Sequence, residues 1–143
     1  ILADTHSDQF VTVFYAVLDP VNGILNYVNA GHNPPILLER NSGRVIDKLA
    51  RTGIPLGIQE YTWEEKQIEI GPGQLLLLYT DGITESQDDR CELFGSENLV
   101  QVVQNNIEKP AIELMSGVLD HVQTFAKGAQ QSDDITLMIL ARN

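Results

Sequence analysis

Apolar and polar positions change their rhythm part-way along the chain. Across residues 11–18, Val11, Val13, Tyr15 and Val17 alternate with Thr12, Phe14, Ala16 and Leu18, a period of two with both faces largely apolar. A strand buried on both sides carries that pattern. Asp19-Pro20-Val21-Asn22-Gly23 then makes a turn, because proline pre-sets φ and glycine admits positive φ. Residues 24–29 return as a second strand, so the two predict a hairpin. Ala30-Gly31-His32-Asn33-Pro34-Pro35 interrupts it, since neither proline can donate to a central ladder. Further strands are predicted over residues 36–39, 45–49, 61–70 and 75–79, separated by Asn41-Ser42-Gly43, by Gly53-Ile54-Pro55-Leu56-Gly57 and by Gly71-Pro72-Gly73. Leu75-Leu76-Leu77-Leu78-Tyr79 reads as a central strand that stops at Thr80-Asp81-Gly82.

After Gly82 the period lengthens to that of helices. Ser96 is the expected N-cap of a helix carrying Leu99, Val100, Val103 and Ile107 on one side. Pro110 fits the first turn of a second helix. There Ala111, Met115, Val118, Leu119, Val122, Phe125 and Ala126 recur at three- and four-residue steps, and Gly128 ends the run. Residues 135–140 form a final strand. Mostly antiparallel strands, two helices and one more strand give an α+β class, with sheet layers and helices packed outside. Two helices are too few to cover both faces of so many strands. A bare apolar face favours a homo-oligomer, and a dimer or a swapped arrangement is expected if the chain ends at Ile1.

Composition narrows the function classes. The 143 residues suffice for one domain with a real core, and 43% hydrophobic content is ordinary for a globular chain. Asp and Glu number 20 against 9 Lys and Arg, a formal charge of −11 that argues against nucleic-acid and anionic-membrane partners. The same excess suits carboxylates gathered around a hard cation, and it equally suits plain solubility. A single cysteine, Cys91, rules out an internal disulfide and fits the reducing cytoplasm, the expected location. No apolar run is long enough to span a bilayer, and no signal-peptide pattern opens the chain. Ile1 rather than Met stands first, so the polypeptide is expected to continue upstream.

Candidate chemistry sits at strand ends. Asp81 follows an apolar strand directly, where a carboxylate is either solvated at a turn or paired with a cation, because an unpaired buried one is very costly. Asp133 and Asp134 adjoin one another before the last strand; they repel, and a divalent cation or plain solvation relieves that. Mg²⁺ and Mn²⁺ take oxygen ligands and retain waters. Two such strand ends meet only if their strands are neighbours in a sheet. His32 in its glycine-proline loop is a candidate ligand or acid-base group, or a structural loop histidine. There is no nucleophile elbow, no Walker loop and no Cys/His cluster for zinc.

Taken in order, the motifs carry a resemblance. They are Phe10-Val11-Thr12-Val13-Phe14-Tyr15-Ala16, Asn29-Ala30-Gly31-His32-Asn33-Pro34-Pro35, Pro55-Leu56-Gly57-Ile58, Gly71-Pro72-Gly73, Leu78-Tyr79-Thr80-Asp81-Gly82-Ile83-Thr84-Glu85, Phe94-Gly95 and Ser132-Asp133-Asp134-Ile135-Thr136. The series resembles the type 2C-like (PPM) metal-dependent serine/threonine protein phosphatases, in their bacterial SpoIIE-type branch, over nearly the whole chain. The resemblance implies a β-sandwich flanked by helices. It also implies dephosphorylation of phosphoserine or phosphothreonine on a regulatory protein, expected to be an anti-sigma-factor antagonist. By the same resemblance, Asp81 and Asp133 match metal ligands of a two-metal Mn²⁺ or Mg²⁺ site. Asp134 and Gly82 match supporting positions, and His32 lies at the site's periphery.

Two motifs of that family, a Gly-Asp and an Asp-x-x-Gly-His-Gly, do not occur before Phe10. The expectation is therefore that residues 1–143 are the C-terminal part of one phosphatase domain. The N-terminal strands and helices of the domain are then missing, and with them some of the metal ligands. On that expectation the chain by itself is inactive. The alternative is a phosphatase-like module that binds a signalling partner without turnover.

Overall fold

A computed structural model of the chain describes residues 10–129 and 133–143. In chain order it contains strands β1 (Val13–Asp19), β2 (Ile24–Ala30), β3 (Ile36–Glu39), β4 (Val45–Lys48), β5 (Lys66–Glu69) and β6 (Gln74–Tyr79). Helices α1 (Asp81–Thr84), α2 (Gly95–Asn105) and α3 (Ala111–Phe125) follow, and strand β7 (Leu137–Arg142) closes the order. The strands form two antiparallel sheets, a first of order β1-β2-β5 and a second of order β4-β3-β6-β7.

The run of leucines in β6 explains the layering. Leu76 packs with Leu25, Tyr27, Leu37, Leu49 and Ile70 between the two sheets. Its neighbours Leu75 and Leu77 turn to the opposite face, where Leu99, Val103, Leu114, Val118 and Val122 of α2 and α3 cover them. A strand with both faces buried has no use for a polar position, hence the unbroken apolar run. The second sheet is thus the middle layer, between the first sheet and the helices. Each of these fully buried leucines contributes roughly 1.5–3 kcal/mol relative to an exposed one.

The first sheet is covered on one side only. Phe14, Ala16 and Leu18 of β1 pack inward, whereas Tyr15 and Val17 on the other face are 64% and 53% exposed. The alternation in β1 was expected to mark burial on both faces; this strand sits at the sheet's edge, and no helix among the described residues lies over Tyr15 and Val17. Other expectations shift at their boundaries. Residues 61–65 are not strand: Tyr61 and Trp63 instead fold over Gly53, with the Trp63 indole donating to the Ile54 carbonyl at 2.8 Å. Ser96 lies inside α2, whose N-cap is Phe94, and Pro110 is itself the N-cap of α3. In α3 the core residue of the first turns is Leu114, not Met115.

Opposite ends of the sandwich are built differently. At one end the β1–β2 turn is fastened by Arg142, whose guanidinium donates to the carbonyls of Val21, Asn22 and Ile70 at 3.0, 3.0 and 2.7 Å. Gly23 has φ +75, and a side chain there would collide with that guanidinium. Arg40, beside it after β3, donates to the carbonyls of Ile107, Glu108 and Lys109 just beyond α2. The other end holds the acidic strand termini.

Candidate metal centre

Strand register gathers those termini. Tyr79 at the end of β6 pairs with Leu137 at the start of β7, so Asp81 and Asp133 lie just beyond the same end of one strand pair. Ile36 at the start of β3 faces Leu77 on one side and Lys48, the last residue of β4, on the other. In the first sheet Ala30 at the end of β2 faces Val13 at the start of β1, and residues 31–35 lead from Ala30 into β3. Asp81, Asp133, Asp134 and the His32 loop therefore share one end of the sandwich.

Thr80 ties the two acidic segments together. Its backbone N–H donates to the Thr136 carbonyl at 3.1 Å and its hydroxyl donates to the Asp134 carbonyl at 3.0 Å. The same hydroxyl accepts the Thr136 N–H at 2.9 Å. Gly82 completes the fit: a Cβ there would run into the Asp134 carbonyl and lie 3.3 Å from the Asp133 carbonyl oxygen. Only glycine lets the backbone of α1 approach the strand so closely. Neither Thr80 nor the steric demand on Gly82 is legible in spacing; the one signal for Thr80 is its place before an aspartate at a strand end.

Local geometry keeps both carboxylates at the surface. Asp81 is the first residue of the one-turn helix α1, not part of a simple turn. Its carbonyl accepts the Glu85 N–H at 2.7 Å, and its side chain accepts the Gly82 N–H at 3.2 Å. The Asp133 side chain accepts the Asp134 N–H at 2.7 Å. Ile83, fully buried, anchors α1 in the helix-side core, and Ser86 donates to the Gly82 carbonyl at 2.7 Å. Tyr79, at the end of β6, is buried in the helix-side core, and burial pushes its hydroxyl above the ordinary value of 10.0.

His32 is half-buried on its loop, with Nδ1 3.4 Å from the Thr12 hydroxyl. Asp81, Gly82, Asp133 and Asp134 thus form one junction, and the His32 loop lies at the same end. The exposed carboxylate oxygens at this closely packed, glycine-fitted junction are of the chemical type that a hard divalent cation takes. Among the described residues no group of three or more His, Cys, Asp or Glu side chains is placed to hold one.

Comparison with known proteins adds four findings. A family model described as Stage II sporulation protein E (SpoIIE) matches residues 1–143. Protein IcfG of Synechocystis sp. is 33% identical over 145 residues, covering 99% of this chain and 22% of its own length. Phosphoserine phosphatase RsbU of Bacillus subtilis is 26% identical over 137 residues, covering 95% of this chain and 40% of its own. Among solved structures, the manganese-presoaked phosphatase domain of the cell-fate determinant SpoIIE from Bacillus subtilis superposes with a TM-score of 0.73 at 17% identity. That match covers 99% of this chain and 62% of the other, and it establishes likeness of fold. This chain spans well under half the length of either relative.

Proposed function

This chain belongs to the SpoIIE family, a PP2C-like fold in the bacterial branch of RsbU and RsbP, and on that premise we propose that it serves metal-dependent dephosphorylation of phosphoserine or phosphothreonine on a regulatory protein. An anti-sigma-factor antagonist, acted on in the cytoplasm, is the substrate class we favour. The observation that supports this reading is the junction of β6 and β7, where the segments that carry Asp81 and Asp133 run beyond the same pair of strand ends.

In this reading Asp81 and Asp133 ligate Mn²⁺ or Mg²⁺. Asp134 and Thr80 hold the Asp133 segment in place, and Gly82 admits the close packing. His32 borders the site. When bound, the divalent ions supply Lewis acidity toward phosphoryl oxygens and lower the pKa of coordinated water. Residues 1–143 are then the C-terminal part of one phosphatase domain, and turnover needs further carboxylates from elsewhere in the longer protein. The alternative is a module that binds a signalling partner without turnover.

The test is Mn²⁺-dependent hydrolysis of a phosphoserine peptide by the longer protein and by its Asp81→Asn variant. A ligand role predicts a loss of about a thousandfold in kcat/KM, equivalent to several kcal/mol of transition-state stabilisation. Unchanged turnover in the variant rejects the ligand role, and no turnover by the parent protein favours the binding module. Residues 1–143 by themselves are expected to turn over little; activity equal to that of the longer protein rejects the incomplete-site reading.

A further inference from the structure

At the end of the sandwich that carries Asp81 and Asp133, Arg51 is exposed and, among the described residues, makes no hydrogen bond or ion pair. The arginines at the other end are engaged. Arg40 and Arg142 are spent on carbonyl oxygens, and Arg44 lies 3.6 Å from the Glu39 carboxylate.

The backbone on both sides of Arg51 is clamped. Leu49 is fully buried, and its N–H donates to the Pro35 carbonyl at 2.8 Å. Thr52 is buried, and its N–H donates to the Asn29 carbonyl at 2.8 Å. Asn29, fully buried, returns two bonds: its N–H to the Thr52 hydroxyl and its side-chain amide to the Leu49 carbonyl, each at 3.0 Å. Asn29 thereby fixes the backbone of the crossing from the second sheet to the first, and Arg51 extends from that crossing into solvent.

Register relates the strand that leads to Arg51 to the acidic junction. Ile36 separates Lys48 from Leu77 in one rung, so β4 and β6 stand two strand spacings, about 10 Å, apart. Arg51 follows Lys48 by three residues, and Asp81 follows Leu77 by four. A phosphorylated side chain entering this end approaches a chain of net charge −11, where its own charge is repelled. A guanidinium mounted across the same end offsets that repulsion, and its planar fork suits an oxyanion.

We infer that Arg51 is a specificity-determining residue whose guanidinium binds an oxyanion of the phosphorylated substrate. The inference rests on the phosphatase reading. The experiment uses the longer protein with Mn²⁺, comparing the parent, Arg51→Ala, Arg51→Lys and Arg44→Ala on two serine-phosphorylated peptides, one flanked by acidic and one by neutral residues. Arg51→Ala is expected to raise KM about tenfold or more, the scale of one hydrogen bond to a charged group. Lysine recovers part of that, and Arg44→Ala, the same charge removed at the other end, leaves KM in place.

Weakened competitive inhibition by inorganic phosphate in Arg51→Ala assigns the contact to the phosphoryl group. Unchanged phosphate inhibition, with a KM effect confined to the acidic peptide, assigns it to substrate carboxylates. An unchanged KM for both peptides overturns the inference, whatever Asp81→Asn does. If the parent shows no turnover, the phosphatase reading fails separately. Arg51 is then judged by anisotropy of a labelled phosphoserine peptide: weaker binding by Arg51→Ala supports it and equal binding overturns it.

Discussion

The two ends of the sandwich use charge in opposite ways. At the Arg142 end, guanidinium groups are turned onto backbone carbonyls of turns and helix termini, where they close the fold. At the Asp81 end, the carboxylates of Asp81 and Asp133 and the guanidinium of Arg51 are exposed, and backbone and hydroxyl groups do the fastening. One end turns its guanidinium groups inward to hold structure; the other is fastened by neutral groups and carries its acidic and basic side chains at the surface. Stability and chemistry are therefore expected to separate by end.

The largest stability effect should come from Arg142→Met, which keeps the aliphatic stem but strands three carbonyls. It is expected to cost about 2–3 kcal/mol in urea unfolding while leaving the activity of the folded longer protein in place. A loss of activity per folded molecule would break the contrast. Gly82→Ala comes next, at about 2 kcal/mol, because its Cβ meets the Asp134 carbonyl and the strand must shift. Unlike Arg142→Met it should also weaken Mn²⁺ binding, read by isothermal titration calorimetry. Thr80→Val removes the hydroxyl that joins Asp134 to Thr136, for about 1 kcal/mol in the same unfolding assay.

The smallest effect belongs to Asp19 at the Arg142 end. Hydrogen bonds from the Asn22 side chain and from the Asn22 and Val21 backbone hold its carboxyl below the ordinary value of 3.8. A lowered folded-state pKa means that its contribution is present above about 3.8 and is lost as pH falls through the folded value. Asp19→Ala should therefore lower Tm slightly at pH 6, and the gap to the parent should close in strong acid.

Much of this layout is legible in the residues themselves. Turn chemistry at Asp19–Gly23 and at Gly71-Pro72-Gly73 places the strand boundaries, because proline and glycine restrict backbone choices locally. The five-residue apolar run ending at Tyr79 marks a central strand, and β6 does lie between β3 and β7. Periodicity misled where neighbours decide burial. Tyr15 and Val17 read as buried but lie on an uncovered face, and residues 61–65 read as strand but wrap over Gly53. Leu114 entered the core in place of Met115, because helix phase is set by what the helix packs against.

By itself, then, the order of residues determined most of the strands, the two longer helices and the identity of Asp81, Asp133 and Asp134 as the acids at strand ends, since those follow from local backbone preference and pattern. Only the tertiary structure decided that β6 pairs with β7, that Thr80 joins their ends and that Gly82 has no room for a side chain. It also decided that Arg51 crosses the same end as those acids. Residues 54 and 56 positions apart meet through sheet pairing, and no local preference encodes which strand will be the neighbour.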